Sequence, residues 1–190
     1  MIELVRAAAE LQEFCEARRW RFCFIGGLAV QMWSELRTTM DVDMTLLTGF
    51  GEERPFIDAL LAAYEARIPN AADHAEMSRV LLLKTREGLG IDIALGGLAF
   101  EERVIERSQK VEMMPGYSIR VCTAEDLIVF KVFAARMKDW NDVEKTIVRQ
   151  GDEKLDWHYI HEQLAPLLEL KAQPGLLDEL ATLRRRLREA

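Results

Sequence analysis

Two aspartates, Asp41 and Asp43, flank Val42 in the run MDVDMTLL. Acids at i and i+2 of an extended chain leave one face of a strand a few ångströms apart. Unpaired, two anions so close are unfavourable. A Mg²⁺ shared between them and triphosphate oxygens relieves the repulsion, since it takes hard oxygen ligands from carboxylates and phosphates alike. Such a cation neutralises phosphate charge and can orient an attacking hydroxyl. Upstream, Gly26-Gly27 closes the run RFCFIGG. Glycines accept unusual dihedrals and let the backbone come close to a ligand. A helix starting directly afterwards presents free N–H groups and the positive end of its dipole, which suits a phosphate. Either feature alone is common. A strand, a glycine pair, a helix and then an acid-x-acid strand is a much rarer order. A third acid, Asp92, lies between Ile91 and Ile93 in GIDIALGG. An aspartate among β-branched residues is a poor strand former and needs a reason. It reads either as a third metal ligand or general base beside Asp41 and Asp43, or as an acid on the solvent face of an edge strand.

These residues need elements to hold them. Residues 3–19 read as an amphipathic helix, with Leu4, Ala8, Leu11 and Phe14 near helical spacing. RFCFIGG reads as a strand entering a tight turn, and LAVQMWSEL as the helix that follows. In RTTMDVDMTLLTG, Val42, Met44 and Leu46 alternate with Asp41, Asp43 and Thr45, which predicts a strand. Residues 53–67 read as a helix and 68–78 as a polar connection. RVLLLKT and GIDIALGG read as strands joined in a hairpin around Gly88 and Gly90. FEERVIERSQ reads as a short helix, followed by two strands around Pro115-Gly116. Thr123, with Asp126 three residues on, caps the helix AEDLIVFKVFAAR, and the chain is helical from there to residue 190. The expected fold is α/β (α+β): a mixed sheet flanked by helices over residues 1–120, then a helical C-terminal part over 121–190.

The run FIGGLAVQMWSELRTTMDVDMTLL resembles the nucleotidyltransferase superfamily, whose signature is hG[GS], a helix, [DE]h[DE]h and a later h[DE]h strand. Here those are Gly26-Gly27, Asp41-Val42-Asp43 and Ile91-Asp92-Ile93, within a resemblance covering residues 22 to about 147. Arg37-Thr38-Thr39 together with AEDLIVFKVFAARMKDWNDVE looks most like the AbiEii/AbiGii toxin-type branch. There a helix lysine and a following Asp-x-x-Asp helix complete the site, matching Lys131, Asp139 and Asp142. The resemblance implies transfer of a nucleoside monophosphate from an NTP to an acceptor hydroxyl on a protein, a tRNA or a small molecule, with release of pyrophosphate. It implies Mg²⁺ or Mn²⁺ on Asp41 and Asp43, with Asp92 completing the metal site or deprotonating the acceptor. Gly26 and Gly27 would cradle phosphates, Lys131 would meet one as a point charge, and an antitoxin protein is a possible partner. Many active members carry Gly-Ser where this chain has Gly26-Gly27.

Beside each role stands a plainer one. On one continuous helix Lys131, Asp139 and Asp142 would share a face and Arg136 would point away, whereas a break between two helices at Lys138-Asp139 would spoil that register. Lys131 could instead snorkel along an apolar helix, and Asp139 could cap one. Arg37 could meet a phosphate, pair with Asp41 or simply lie on the surface. Trp33 reads as core, and His74, His158 and His161 lack ligand spacing.

The net charge of −7 argues against a broad nucleic-acid surface, which needs clustered cations. The local run Arg184, Arg185, Arg186 and Arg188 reads as a solvated helix end. Cys15, Cys23 and Cys122 are widely spaced with no CxxC pair, which fits reduced thiols in the cytoplasm. The N-terminal helix carries acids, unlike a signal peptide, and no apolar run approaches membrane-spanning length, so no membrane role is expected. A non-catalytic relative that binds a nucleotide or a partner is the competing reading. A dinucleotide-binding domain fits poorly, because GxGxxG spacing is missing.

Overall fold

Alternating burial along three strands builds the surface that carries the acids. In β2 (Asp41–Leu47), Val42, Met44 and Leu46 are fully buried, while Asp41 and Asp43 are only partly so. In β4 (Val80–Lys84) and β5 (Gly90–Gly96) the buried side chains are Leu81, Leu83, Ile91, Ile93 and Leu95. Period-two patterning thus gives the apolar residues to the core and the acids to the opposite face. The computed structural model describes residues 2–35 and 37–189. Its chain divides into two units, Met1–Leu28 with Thr38–Cys122, and Ala29–Arg37 with Thr123–Ala190.

In the first unit α1 (Ile2–Ala17) precedes β1 (Phe22–Phe24), and α2 (Gly26–Trp33) starts at the glycine pair and continues into the second unit. After β2 come α3 (Arg54–Leu61), β3 (Glu65–Ala66), α4 (Ala71–Ser78), β4, β5, α5 (Ala99–Arg107), β6 (Gln109–Met114) and β7 (Tyr117–Val121). Among the described residues seven strands form one sheet in the order β3-β4-β5-β2-β1-β7-β6. The β2–β5 and β1–β7 pairs are parallel and the others antiparallel, so this is the mixed α/β sheet with flanking helices that the patterning predicts. Strands β1 and β7 pair only at Phe24 and Val121. Gln12 of α1 supplies bonds β7 lacks there, accepting from the Arg120 N–H (2.8 Å) and donating to the Ser118 carbonyl (3.0 Å). All three cysteines are buried, and burial pushes the Cys15 thiol up to about 12, which makes it inert at neutral pH.

Three sequence expectations change here. The helix expected over 53–67 stops at Leu61, and Glu65 and Ala66 join the sheet edge opposite Lys84 and Leu83. Tertiary pairing overrides the helical propensity of Ala62, Ala63, Glu65, Ala66 and Arg67 in that stretch. The connection expected over 68–78 contains α4, whose apolar side is only Ala71 and Ala75, too small to mark a periodic pattern. The helix expected over 28–36 ends at Trp33 in the described residues, and Leu36 lies outside them.

The second unit is helical: α6 (Ala124–Ala134), α7 (Met137–Gln150), α8 (Trp157–Leu170) and α9 (Leu176–Glu189). Thr123 caps α6 as its sequence predicts, its hydroxyl accepting from the Asp126 N–H at 3.3 Å while Asp126 accepts from the Thr123 N–H and hydroxyl. Leu127, Ile128, Val132, Val143, Ile147, Ile160, Leu164 and Leu168 are buried. No helix among the described residues is long and apolar enough to cross a membrane.

Candidate active site

The register of the first unit's sheet sets out the acids. Across the parallel β2–β5 pair Asp43 faces Asp92, and Asp41 faces Gly90. Across β5–β4, Asp92 faces Leu82 and Gly90 faces Lys84. Lys84 faces Glu65 of β3, and just past that strand the Arg67 N–H donates to the Leu82 carbonyl at 2.9 Å. Partners in register project to the same face of a sheet. Two rows therefore lie side by side, Glu65-Lys84-Gly90-Asp41 and Arg67-Leu82-Asp92-Asp43.

A guanidinium joins the rows. Arg67 Nη2 lies 2.5 Å from Asp92 Oδ1, and Nη1 lies 3.5 Å from Asp41 Oδ1. A Cβ at Gly90 would stand 2.0 Å from Asp41 Oδ1 and 2.7 Å from Arg67 Nη1, so the missing side chain makes room for both. Burial pushes the Asp92 carboxyl above the usual carboxylate range; Asp41 adds to the rise and Arg67 opposes it.

The glycine pair serves Asp43 directly. The Gly27 N–H donates to Asp43 Oδ2 at 3.0 Å, which places the carboxylate at the positive end of α2. Gly26 has φ +54°, and a Cβ on it would stand 2.2 Å from Asp43 Oδ2 and 2.6 Å from Asp43 Cβ. A Cβ on Gly27 would meet Thr39 Oγ1 at 2.1 Å. Both glycines are thus required by the approach of the loop and strand that carry the acids.

The second unit holds a cluster of its own. Lys131 Nζ lies 3.0 Å from Asp139 Oδ1 and 2.8 Å from Asp142 Oδ2. Arg37 grips Asp142 with two bonds, Nε to Oδ1 at 2.9 Å and Nη2 to Oδ2 at 3.0 Å. Arg136 Nε donates to Asp139 Oδ2 at 2.6 Å, and its N–H donates to the same oxygen. Asp139 and Asp142 are almost fully buried. Burial pushes both carboxyls up, but the hydrogen bonds and charges of Arg37 and Lys131 on Asp142, and of Arg136 and Lys131 on Asp139, outweigh it and hold both below the usual range.

Asp41, Asp43 and Asp92 are a hard, all-oxygen donor set that suits Mg²⁺ or Mn²⁺, with no thiolate or imidazole among them. Among the described residues no three acid, imidazole or thiol groups converge around one point. Asp43 is turned to Gly27, while Asp41 and Asp92 are turned to Arg67. The set fits the ion in chemistry, and the strand register puts the three acids on one sheet face, but their carboxylates are turned to other partners.

Residues 2–171 match the model of a family described as nucleotidyltransferase of unknown function (DUF6036). The chain belongs to that nucleotidyltransferase family. None of the curated proteins matches its sequence. Among solved structures it is similar to an antigenic nucleotidyltransferase-like protein from Paracoccidioides brasiliensis, at 15% identity and TM-score 0.54 over 96% of this chain and 92% of that one. It is also similar to the antibiotic-resistance factor ANT(2'')-Ia in solution, at 15% identity and TM-score 0.54 over 100% of this chain and 96% of that one. A crystal structure of ANT(2'')-Ia in complex with adenylyl-2''-tobramycin gives 16% identity and TM-score 0.54 over 90% and 96% of the two chains. At such identities the likeness is one of fold.

Within this chain, the first unit brings together Gly26, Gly27, Asp41, Asp43 and Asp92, and the second brings together Arg37, Lys131, Asp139 and Asp142. Arg37 pairs with Asp142, a partner the sequence reading did not name. The continuous helix considered for Lys131 to Asp142 is broken at Ala135, in the left-handed region at φ +56°, and the corner turns Arg136 onto Asp139 instead of away from it. Sequence reasoning missed Arg67, Gly90 as a seat, and Thr39. One signal for Arg67 was available: Ile68 precedes Pro69, which biases this stretch towards an extended backbone and away from a helix.

Proposed function

We propose that the chain transfers a nucleoside monophosphate from an NTP to an acceptor hydroxyl. The observation that carries this reading is the register that sets Asp41, Asp43 and Asp92 on one sheet face, with Asp43 bonded to the start of the glycine-led helix. Asp41 and Asp43, joined by Asp92, would hold Mg²⁺ or Mn²⁺. Bound there, the cation supplies charge neutralisation at the triphosphate. The remaining N–H groups at the start of α2, around Gly26 and Gly27, meet phosphate oxygens. Asp92, whose carboxyl burial holds above the ordinary range, takes the proton of the acceptor hydroxyl in this reading. The acceptor oxygen then bonds to the α-phosphorus and pyrophosphate leaves. Arg37, Lys131, Asp139 and Asp142, in the second unit, are read as nucleotide-binding residues as well. Asp139 and Asp142 orient Lys131, which has a third N–H beyond the two they use.

A small molecule is the acceptor class best supported by the fold neighbours, since one of them holds an adenylylated antibiotic. A protein or tRNA hydroxyl is the other choice. An AbiEii/AbiGii-like toxin role, with an antitoxin partner, rests on the Arg37-Thr38-Thr39 and Lys131 to Asp142 motifs alone. One observation favours a second reading, a non-catalytic nucleotide- or partner-binding module: Arg67 already neutralises Asp41 and Asp92.

Calorimetry with ATP, CTP, GTP and UTP tests the first reading, on the native chain and on Asp41→Asn/Asp43→Asn. The expected result is Mg²⁺-dependent binding of one NTP that the double variant loses. A folded native chain that binds none of the four sinks the enzyme reading. Binding without release of pyrophosphate, across acceptor candidates of all three classes, supports the module.

A further inference from the structure

We propose that Arg67 is a displaceable latch on the carboxylate site: its guanidinium stands where a divalent cation would, so a metal must compete with it for Asp41 and Asp92. The proposal rests on the metal reading above and concerns the regulation of that same site. Three observations carry it. The guanidinium reaches both acids, at 2.5 Å from Asp92 and 3.5 Å from Asp41, and a cation can serve those carboxylates from only one source at a time. The place is built for it, because Gly90, directly opposite Asp41, leaves the volume that Asp41 Oδ1 and Arg67 Nη1 share. The other cation of these two rows, Lys84, is paired with Glu65 at 3.1 Å.

The latch is also mounted to let go. β3 is a two-residue edge strand, Glu65 and Ala66 are exposed, and Arg67 itself follows the last residue of that strand. Short edge strands open at low cost. Arginine also pairs well with phosphate oxygens, so a guanidinium released on this face has a new partner only when a triphosphate arrives. Metal alone must therefore displace Arg67 without recompense, whereas metal with nucleotide does not. The latch couples the two binding events and keeps metal uptake weak until nucleotide is present.

The test is Mn²⁺ binding to the full chain without nucleotide, read from the electron paramagnetic resonance signal of free Mn²⁺. The chains compared are wild type, Arg67→Ala, Arg67→Gln and Asp41→Asn/Asp43→Asn. The two Arg67 variants are expected to bind Mn²⁺ at least five-fold more tightly than wild type, and the double aspartate variant to lose binding. Thermal midpoints give a second readout: Mn²⁺ should raise that of Arg67→Ala more than that of wild type. Equal or weaker Mn²⁺ binding by the Arg67 variants, with binding still lost in the aspartate variant, overturns the latch and leaves the metal reading standing. Absence of Mn²⁺ binding in every chain overturns the metal reading and the latch with it.

Discussion

Asp43 and Gly26 illustrate how one residue's identity is set by another's. The carboxylate of Asp43 sits against the backbone at the start of α2, and Gly26 carries φ +54° with no room for a Cβ. A left-handed backbone alone costs about 1 kcal/mol for a residue with a side chain. Gly26→Ala is therefore expected to lower stability by more than that amount and to push Asp43 off Gly27. Urea unfolding at unchanged m-value reads the first effect, and Mn²⁺ affinity reads the second. A variant as stable as wild type would mean that the turn relaxes freely. Gly90 works differently, because the atoms nearest its missing side chain are the ends of Asp41 and Arg67, which can move.

At the scale of elements, the corner between α6 and α7 is held by charge. Lys131 bonds two carboxylates that are almost wholly out of solvent. Removing one partner of a buried ion pair costs about 3–5 kcal/mol. Lys131→Met is expected near the lower end of that range, since Arg37 and Arg136 remain on the two acids, and a shift in urea midpoint measures it. The same acids set a pH dependence. Asp142 is held below its ordinary value of 3.8, so the folded state prefers the ionised form. Its stabilising contribution is complete above 3.8 and is lost as pH falls through the lower folded-state value. The stability gap between wild type and Asp142→Asn should therefore narrow as pH drops below 3.8 in acid titrations of unfolding. A gap that widened there would contradict the assignment.

At the scale of the whole molecule the acidic surplus dominates. Lys and Arg number 25 against 32 Asp and Glu. Three of the four arginines at the arginine-rich end are paired with acids, Arg184 and Arg188 with Asp152 and Arg186 with Glu144. Non-specific affinity for nucleic acid comes from cations that release counterions from phosphates. Generic duplex RNA is expected to show no retention by the full chain at physiological salt in a mobility-shift assay. Retention that weakens steeply with added salt would reveal a basic surface at odds with this charge distribution.

The sequence by itself determined most of the sheet-and-helix plan, the shared face of Asp41 and Asp43, and the cap at Thr123. Each follows from local rules: period-two alternation, a glycine pair before a helix, and a hydroxyl three residues ahead of an acid. Only the tertiary structure decided what surrounds those acids. Strand register lies outside local pattern, yet it alone brings Arg67 and Gly90, 26 and 49 residues from Asp41, into one neighbourhood of the sheet. The same holds for Arg37 and Asp142, 105 residues apart, and for Arg136, which a single left-handed residue at Ala135 turns towards Asp139. Charge partners distant in sequence leave no periodic trace, because a long arginine can reach a carboxylate from several backbone positions and only the fold selects among them.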